Sequence, residues 1–476
     1  MRARTLRSTF SAAVLVALSA SASAWVGCGN TNVEFPASSA TGSGGSGGGA
    51  GTGGEAVSST ASSTVASSSA TASSSSSSSS GTGGSSPDGI ISTSTDSILE
   101  AETHVAVGAN NVVVVAWIAE QAGGNSTNGY VFSTSGGASW TPVQQLASPN
   151  GLVASDPVLA FDQQNNCYMT WIGFQFNAQG NAYNMHVYVA KAPAGTTTFG
   201  APVEIAPAGT NVQFDKPWIT VTNKNAVLVT YAKTSTGGIY AARSADGGAT
   251  WSNAVIVEDG NFRNLVYPCV SKTNDRIWAA YHAGGGIGLR WSDDDGVTWP
   301  DANKSAVAAQ GEQPAFDDPT CAADGNDVWI SYGLSNDQFS GDASPKLHTV
   351  RVAHSPDGGS TVDFRVDAHD AAAAKLFMHP ALVRATNGTL HLVYYAGQAD
   401  QDAMGTFRRS SSTDGGHTWQ ASTVVRQPIT YLGDRASPLW LGDYVGSAWS
   451  GGDLYMSYVD NAGMYSHIAF TKQAAP

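Results

Sequence analysis

The chain has 476 residues and a formal net charge of -14, with 23 Lys and Arg against 37 Asp and Glu. Only 13% of the residues are charged and 54 are Gly, a composition that favours many short strands and tight turns over long helices. The acidic balance excludes nucleic acid as an expected partner, because phosphate binding requires an excess of Lys and Arg.

The first residues have the pattern of an export signal. Three Arg residues within the first seven positions precede an uncharged apolar run at 10–18 that is too short to span a membrane. Residues 1–27 are interpreted as a signal peptide, because Val-Gly-Cys ending at Cys28 resembles the lipobox of bacterial lipoproteins, with Trp25 where that motif usually has Leu. The alternative is cleavage after Ala24, which would give a soluble exported protein.

The next segment is predicted to be a disordered tether. Residues 28–87 are almost entirely Ser, Gly, Thr and Ala, which leaves too little apolar surface to offset the entropy lost on ordering. A flexible linker behind a lipidated Cys28 would hold a folded head away from a membrane. We expect an outer-membrane or cell-surface lipoprotein, with a periplasmic or secreted protein as the alternative. The folded domain is expected at 88–476.

One repeat inside the folded domain is well defined, because three segments share the pattern Ser-x-Asp-x-Gly-x-Thr-Trp without exception. These copies lie at 244–251, 292–299 and 412–419, and degraded copies lie at 133–140, 192–199 and 355–362. In such a turn the carboxylate accepts backbone N–H groups, Gly supplies a positive φ and Trp packs beneath the hairpin. The residues given this structural role are Asp246, Trp251, Asp294, Trp299, Asp357, Asp414 and Trp419.

This pattern resembles the Asp box of the sialidase superfamily. The resemblance implies a β-propeller in which the Asp boxes are peripheral structural clips, remote from a central site. It covers nearly all of residues 88–476, although it concerns architecture far more than chemistry.

A second repeat sets the expected number of blades. In each copy, one predicted strand starts with Pro, and an aromatic residue 13 or 14 positions after that Pro ends the next predicted strand. The pairs are Pro157 with Trp171, Pro217 with Tyr231, Pro268 with Tyr281, Pro319 with Tyr332 and Pro380 with Tyr394. Weaker copies run from Thr103 to Trp117 and from Asp443 to Tyr458. Seven four-stranded units predict an all-β, seven-bladed sialidase-like propeller, with six blades as the alternative. The seventh unit lacks an outer strand, which residues 90–97 are expected to supply.

The residue before each Pro is the candidate lining of the central channel, where ligand sites in propellers gather. The substrate-binding candidates are Glu102, Asp215, Lys216, Tyr267, Asp318, His379 and Asp443, and Asp156 belongs to the same set. Two interpretations stay open. The Asp residues cap the strands through backbone hydrogen bonds, or their convergence raises some pKa values and creates general acids or a site for a cation such as Ca²⁺.

Resemblance to sialidases implies three Arg residues that grip the substrate carboxylate, a Tyr nucleophile assisted by Glu, and an Asp acid/base. The candidate catalytic residues are Tyr444, Asp156 and Glu312, and the candidate clamp residues are Arg351, Arg409 and Arg435. The first inner strand reads Ala-Glu-Thr-His-Val at 101–105, without the Arg that the family places there. A mouth lined with carboxylates also opposes an anionic sugar, so enzyme activity is left undecided.

These observations lead to two hypotheses about function. The first is a monomeric cell-surface protein whose propeller mouth binds extracellular glycan, with cleavage by paired carboxylates if it is a glycosidase of the exo-alpha-sialidase type. The second is a non-catalytic adhesion or protein-binding lipoprotein. Beyond Cys28, three Cys residues remain, at 167, 269 and 321, and this odd number cannot pair completely within the chain.

Replacing Cys28 with Ser should release the protein from membranes, because the thiol that would carry the lipid is lost. Fractionation of cells that express the full chain, followed by immunoblotting, measures the membrane-bound share. A variant that stays in the membrane fraction would contradict the lipid anchor.

Overall fold

The computed structural model describes residues 89–92, 97–121, 125–209, 212–235, 237–260, 262–315, 317–335, 348–399, 402–433 and 437–474. The predicted signal peptide, Cys28 and the tether lie outside these ranges, as does Arg435. Within them, no helix is both long enough and apolar enough to cross a membrane.

The described chain forms seven antiparallel sheets, each of which is one blade of a propeller. Blade one contains β1 (Ser97–Val107), β2 (Val113–Gln121), β3 (Ser126–Ser133) and β4 (Gln144–Leu146), and blade two contains β5 (Val153–Phe161), β6 (Cys167–Phe176), β7 (Ala182–Ala192) and β8 (Val203–Ala206). Blade three contains β9 (Phe214–Val221), β10 (Val227–Lys233), β11 (Ile239–Ser244) and β12 (Val255–Glu258), and blade four contains β13 (Arg263–Val270), β14 (Ile277–Ala283), β15 (Ile287–Ser292) and β16 (Lys304–Ala306). Blade five contains β17 (Thr320–Asp324), β18 (Asp327–Ser335), β19 (His348–Ser355) and β20 (Phe364–Asp367), and blade six contains β21 (Leu376–Arg384), β22 (Leu390–Gly397), β23 (Gly405–Ser412) and β24 (Thr423–Ile429). Blade seven contains β25 (Gly446–Ser450), β26 (Asp453–Asp460) and β27 (His467–Ala474). Two short 3-10 turns, Ala109–Asn111 and Pro149–Gly151, complete the regular elements.

The first strands of the blades line the central channel. They contact one another in cyclic order, from β1 to β5, β9, β13, β17, β21 and β25 and back to β1. Seven blades are therefore confirmed, and the six-bladed alternative is wrong. We call the face on which the first strands begin, and on which second strands connect to third strands, the mouth face. The opposite face is called the turn face.

The second strands are apolar without alternation because each blade is covered on both sides by its neighbours. In β2, residues Val113 to Trp117 are all completely buried. Each blade places one predicted aromatic residue in this strand, and every one of them is buried. They are Trp117, Trp171, Tyr231, Tyr281, Tyr332, Tyr394 and Tyr458.

The Ser-x-Asp segments form the turns between the third and fourth strands, on the turn face. In the segment at 244–251, Ser244 Oγ donates to Asp246 Oδ1 at 2.8 Å and the backbone N–H of Thr250 donates to the same oxygen at 2.9 Å. Bonds from Thr250, then from Ser244, lower the pKa of Asp246 to about 2. The carboxylate thus replaces the missing backbone acceptors of the turn, which is a structural role.

Blade seven is completed by the segment before β1. Ile90 bridges Ala469 of β27, and the Ile91 N–H donates to the carbonyl of Ile468 at 2.9 Å. Ser92 Oγ accepts the Ile468 N–H at 2.7 Å and donates to Glu100 of β1, whose carboxylate also lies 3.3 Å from His467 Nδ1. The sequence placed this closure at 90–97; the bonds to β27 come from 89–92, and Ser97 already belongs to β1. The segment covers the outer edge of the last sheet.

Four of the five Pro residues lie inside the inner strands rather than at their start, contrary to expectation, whereas Pro319 directly precedes β17. Pro157, Pro217, Pro268 and Pro380 lie inside β5, β9, β13 and β21. Three of them, Pro157, Pro217 and Pro380, fall in β-bulges. A bulge leaves a backbone N–H out of the ladder, so Pro loses no bond there.

A disulfide joins the inner strands of blades four and five. It links Cys269 of β13 to Cys321 of β17, while Cys167 is a free, buried thiol in blade two. Burial raises the pKa of the Cys167 thiol well above its usual range, which leaves it unreactive. The pairing that the sequence left open is thereby assigned, and a disulfide suits an exported protein.

Replacing both Cys269 and Cys321 with Ser should lower the free energy of unfolding by about 4 kcal/mol. The bridge spans 52 residues, and a cross-link over that distance removes about this much free energy of unfolded-chain entropy. Guanidinium denaturation of the full chain without reductant measures the change. Cys167→Ala is the control, since it deletes a thiol but no cross-link, and equal losses in the two variants would contradict the assignment.

Candidate functional site

The inner strands share an unusual backbone conformation at the channel. Glu102, Asp156, Lys216, Leu265 and His379 all have φ between 45° and 58°. Each lies where the pairing between the first and second strands of its blade changes register. In β5, for example, the shift falls between Ser155 and Val158. Left-handed backbone at a non-Gly residue costs about 1–3 kcal/mol. Its repetition on five blades turns these side chains out of the strand ladder towards the channel.

The strand register corrects two residues of the predicted channel lining. In blade two, Val158 pairs with Thr170, and the bulge residue Asp156 lies two positions before Val158. In blade four, Tyr267 pairs with Ala280 at the equivalent place, so the bulge residue is Leu265. Pro268 lies two residues further along than the Pro of the other blades, which displaced the prediction to Tyr267. In blade seven the equivalent position belongs to Tyr444, and Asp443 lies one residue before it.

Lys216 is the centre of the site. Its ammonium group lies 2.7 Å from Glu102 Oε1, 3.2 Å from Asp156 Oδ1 and 2.8 Å from Asp443 Oδ2. The side chains of Lys216 and Glu102 are fully buried, whereas the Asp443 side chain is 24% exposed. These ion pairs join blades one, two, three and seven, and we call the four residues the lysine cluster.

The charges in the lysine cluster shift the protonation of its members. Burial alone lowers the pKa of Lys216, but the carboxylates of Asp156, Asp443 and Glu102 outweigh it, so the pKa lies well above its usual range. Burial, and then the charge of Asp156, raises the pKa of Glu102 well above normal. The cluster therefore combines a permanently charged ammonium group with a carboxyl group that readily holds a proton.

Two further carboxyl groups face the cluster from blades three and five. Asp215 accepts hydrogen bonds from the backbone N–H of Lys216 at 3.0 Å and from Asn264 Nδ2 at 2.8 Å. Burial, followed by the charge of Asp156, raises its pKa to about 6. Asp318 is buried, its Oδ2 has no hydrogen-bond partner among the described residues, and burial raises its pKa well above normal.

The strand-cap interpretation applies to part of the set. Asp215 binds the backbone of the next residue, and Asn264 does the same for Leu265 at 2.8 Å in blade four. Glu102 and Asp443 have Lys216 as their partner instead. His379 lies 3.0 Å from Asp317 Oδ1, so blades five and six contribute a buried imidazole–carboxylate pair.

Of the three predicted catalytic residues, Tyr444 and Asp156 lie together beside Lys216, whereas Glu312 lies elsewhere. Tyr444 is buried, and its hydroxyl donates to the carbonyl of Pro157 at 3.2 Å. Burial, then the charge of Glu102, raises its pKa well above normal, which opposes a phenolate nucleophile. Asp156 does lie in the lysine cluster.

Glu312 serves a different part of blade five. Its carboxylate pairs with Arg351 and accepts a hydrogen bond from Tyr332 at 3.0 Å, and none of its contacts among the described residues reaches Lys216. Arg351 is thereby committed to a peripheral ion pair. Arg435 lies outside the described residues.

Tyr267 belongs to an aromatic layer next to the cluster. Its ring lies 4.5 Å from that of Trp218, which also contacts Tyr444 at 5.4 Å and His104 at 5.3 Å. Burial raises the pKa of Tyr267 to about 12. This layer packs against the channel and keeps the surroundings of Lys216 apolar, which strengthens its ion pairs.

A cation among the carboxylates was one of the open interpretations, and a side chain of the protein itself has that position. Lys216 occupies the place between Glu102, Asp156 and Asp443. Among the residues that the structure describes, no group of three or more His, Cys, Asp or Glu side chains is arranged to hold a metal ion. The geometry thus gives no ligand set for Ca²⁺.

Exposed aromatic residues lie around the mouth face. All four exposed Phe and Tyr residues in the described part of the chain are there: Phe176 and Tyr183 beside the loop from β6 to β7, Phe262 just before β13, and Tyr465 before β27. The exposed Met404 and Met464 occupy the same face, whereas the remaining exposed large apolar residues, none aromatic, lie on outer strands or on the turn face. No sequence pattern singled out this set, because exposure cannot be read from residue type.

No protein-family model and no curated protein matches the chain. A solved protein of unknown function from Dyadobacter fermentans is 15% identical, covering 81% of this chain and 97% of its own, with a TM-score of 0.48. A sialidase of Streptococcus pneumoniae is 11% identical over 81% of this chain and 70% of its own, with a TM-score of 0.47. An α-L-arabinofuranosidase of Fusarium graminearum is 11% identical over 82% of this chain and 98% of its own, with a TM-score of 0.48. At this identity the likeness concerns the fold and carries no argument about activity.

Lys216→Met should lower the free energy of unfolding at pH 7 by about 3–5 kcal/mol, because it leaves three carboxylates without their buried cation. The loss should shrink towards pH 5, because burial and then the charge of Asp156 raise the pKa of Glu102, and this group takes up a proton as the pH falls. Urea denaturation at both pH values measures it.

Asp318→Asn is expected to behave in the opposite way. The pKa of Asp318 is raised in the native state, so its ionisation costs stability as the pH rises from the unfolded value of about 4. The variant should be more stable than the parent, and its advantage should be larger at pH 8 than at pH 5. A marked loss at both pH values would show that Asp318 is a strand cap.

Proposed function

We propose that this protein is an exported glycan-binding propeller that holds its ligand on the mouth face. The observation that carries the proposal is that every exposed Phe and Tyr side chain of the described residues lies on that face. Sugar rings present apolar C–H faces that pack on aromatic rings, and exposed aromatic residues of this kind mark binding surfaces.

The positions of these residues suit an extended ligand. Phe176 and Tyr183 belong to blade two, Phe262 to the connection into blade four and Tyr465 to blade seven. An oligosaccharide that crosses the mouth would contact several of them in turn, whereas one compact pocket would need them side by side.

The charge at the centre selects the kind of sugar. Asp443 is the cluster member that solvent reaches, and Glu102, Asp156, Asp215 and Asp318 lie behind it with Lys216. This excess of carboxyl groups disfavours an acidic sugar and suits a neutral or amine-bearing one. The burial and bonding of Tyr444 favour binding without sialidase-type cleavage.

The lipid anchor and tether complete the proposal. A lipid on Cys28 would attach the chain to the bacterial surface, and the Ser- and Gly-rich residues up to 87 would let the propeller reach glycans beyond it. The disulfide between blades four and five is consistent with an exported location.

A glycan array probed with the purified full chain should show binding to neutral or amine-bearing oligosaccharides and not to sialosides. Phe262→Ala should weaken binding about 10-fold, because it removes the most exposed aromatic contact, worth about 1–1.5 kcal/mol. Isothermal titration calorimetry on the best array ligand measures the change.

Val297→Ala is the matched control, since Val297 is an exposed apolar residue on the turn face. It should bind as the parent does. Equal weakening in both variants, or no glycan bound by the parent, would contradict the proposal. Cleavage of a fluorogenic sialoside that Tyr444→Phe abolishes would instead establish the sialidase hypothesis.

A further inference from the structure

Three hydrogen-bond donors that have no partner among the described residues lie together between blades six and seven. They belong to His391 of β22, Arg409 of β23 and Trp449 of β25, which we call the seam cluster. The rings of His391 and Trp449 stack with their centroids 5.2 Å apart and their planes within 12°.

The strand register places Arg409 beside His391. His391 pairs with Ser411 and Val393 pairs with Arg409, so His391 and Arg409 are diagonal neighbours on the same face of the sheet. Val393 on that face packs in one core cluster with residues of β26, including Leu454. The side chains of the seam cluster therefore face blade seven, near the turn face and away from the mouth.

None of the three groups has a hydrogen-bond acceptor among the described residues. His391 is completely buried and neither ring nitrogen is bonded, and Arg409 Nη1 and Trp449 Nε1 are buried and unbonded as well. Arg409 also forms no ion pair in this part of the chain. By contrast, Arg408, its neighbour along the strand, donates to Ser422 Oγ at 2.7 Å.

This arrangement is costly unless a negative group completes it. Burying an amide-type donor without an acceptor costs about 1–3 kcal/mol, and an unpaired charge costs more. Burial lowers the pKa of Arg409, and burial followed by the charge of Arg409 lowers the pKa of His391 to about 4. His391 is therefore neutral at pH 7 and offers one N–H donor, while Arg409 keeps a charge that no carboxylate of the described residues neutralises.

We propose that the seam cluster binds a small oxyanion, a carboxylate, phosphate or sulfate group. The guanidinium of Arg409 matches two oxygens of such a group in a fork. The indole N–H of Trp449 and the imidazole N–H of His391 supply further donors. Arg409 and Trp449 are each partly exposed, so the seam cluster lies close to solvent. The site is separate from the proposed glycan surface and does not depend on it.

Thermal unfolding of the full chain tests the site with sodium phosphate, sodium sulfate and sodium acetate, each titrated at constant ionic strength set with sodium chloride. At least one of these anions should raise the melting temperature along a saturating curve. A non-specific salt effect would raise the melting temperature steadily, without saturation. The phosphate and sulfate arms report a tetrahedral oxyanion, and the acetate arm reports a carboxylate.

Arg409→Gln should abolish the saturating response while leaving the melting temperature without added anion unchanged or higher. Trp449→Phe keeps the stacking on His391 but removes the indole N–H, so the half-saturating concentration should rise about 10-fold. Arg408→Gln is the matched control and should keep the response. No saturating response in the parent would mean that water alone satisfies these donors and would overturn the proposal, as would its survival in Arg409→Gln.

Discussion

The ammonium group of Lys216 determines how the centre of this propeller is organised. Inner strands that converge on one axis bring Glu102, Asp156 and Asp443 within 3.2 Å of it. In an apolar environment such carboxylates repel one another strongly, and one buried cation lets them coexist. The left-handed conformation of Lys216 itself is part of that arrangement, since the bulge turns its side chain into the channel. The ion pairs bind blades that are far apart in sequence into one ring.

The two faces of the ring consequently have different roles. On the turn face, carboxylates such as Asp246 have all their bonds within one short segment. The contact of that turn with its neighbour is made by the backbone instead, since Gly247 accepts hydrogen bonds from Tyr168 and Lys191 of blade two. On the mouth face, Asp443 bonds to a residue of another blade and still meets solvent. A carboxylate in the first situation is part of the scaffold, whereas one in the second can still interact with a ligand.

Much of the fold follows from local patterns. The Ser-x-Asp turns and the buried aromatic residues, such as Trp171, recur because each blade satisfies the same local requirements, and their spacing predicted seven blades. The candidate site followed only in part. Glu102, Asp156, Lys216 and Asp318 were placed correctly at the channel, because each sits at a fixed step in the inner strand. Tyr267 was misplaced, since the Pro of blade four lies two residues later than in the other blades.

Other features of the site could not be predicted. Glu312 was assigned to the centre by residue type, although its partners Arg351 and Tyr332 hold it in blade five. The seam cluster depends on the contact of β22, β23 and β25. The sequence does not show that Arg409 and His391 lack hydrogen-bond acceptors among the described residues. Pairings between distant segments, and the absence of pairings, are properties of the packed structure.

The way in which the ring closes has a mechanical consequence. The chain joins the propeller at the outer edge of blade seven, where the backbone from Gly89 to Ser92 bonds to β27. Any force that reaches the domain through the preceding residues must therefore load these few bonds first. A pull along the strand shares the load among them, whereas a pull away from the sheet breaks them one at a time. The direction of tension at Gly89, rather than the stability of the seven blades, would thus set the force at which the propeller starts to open.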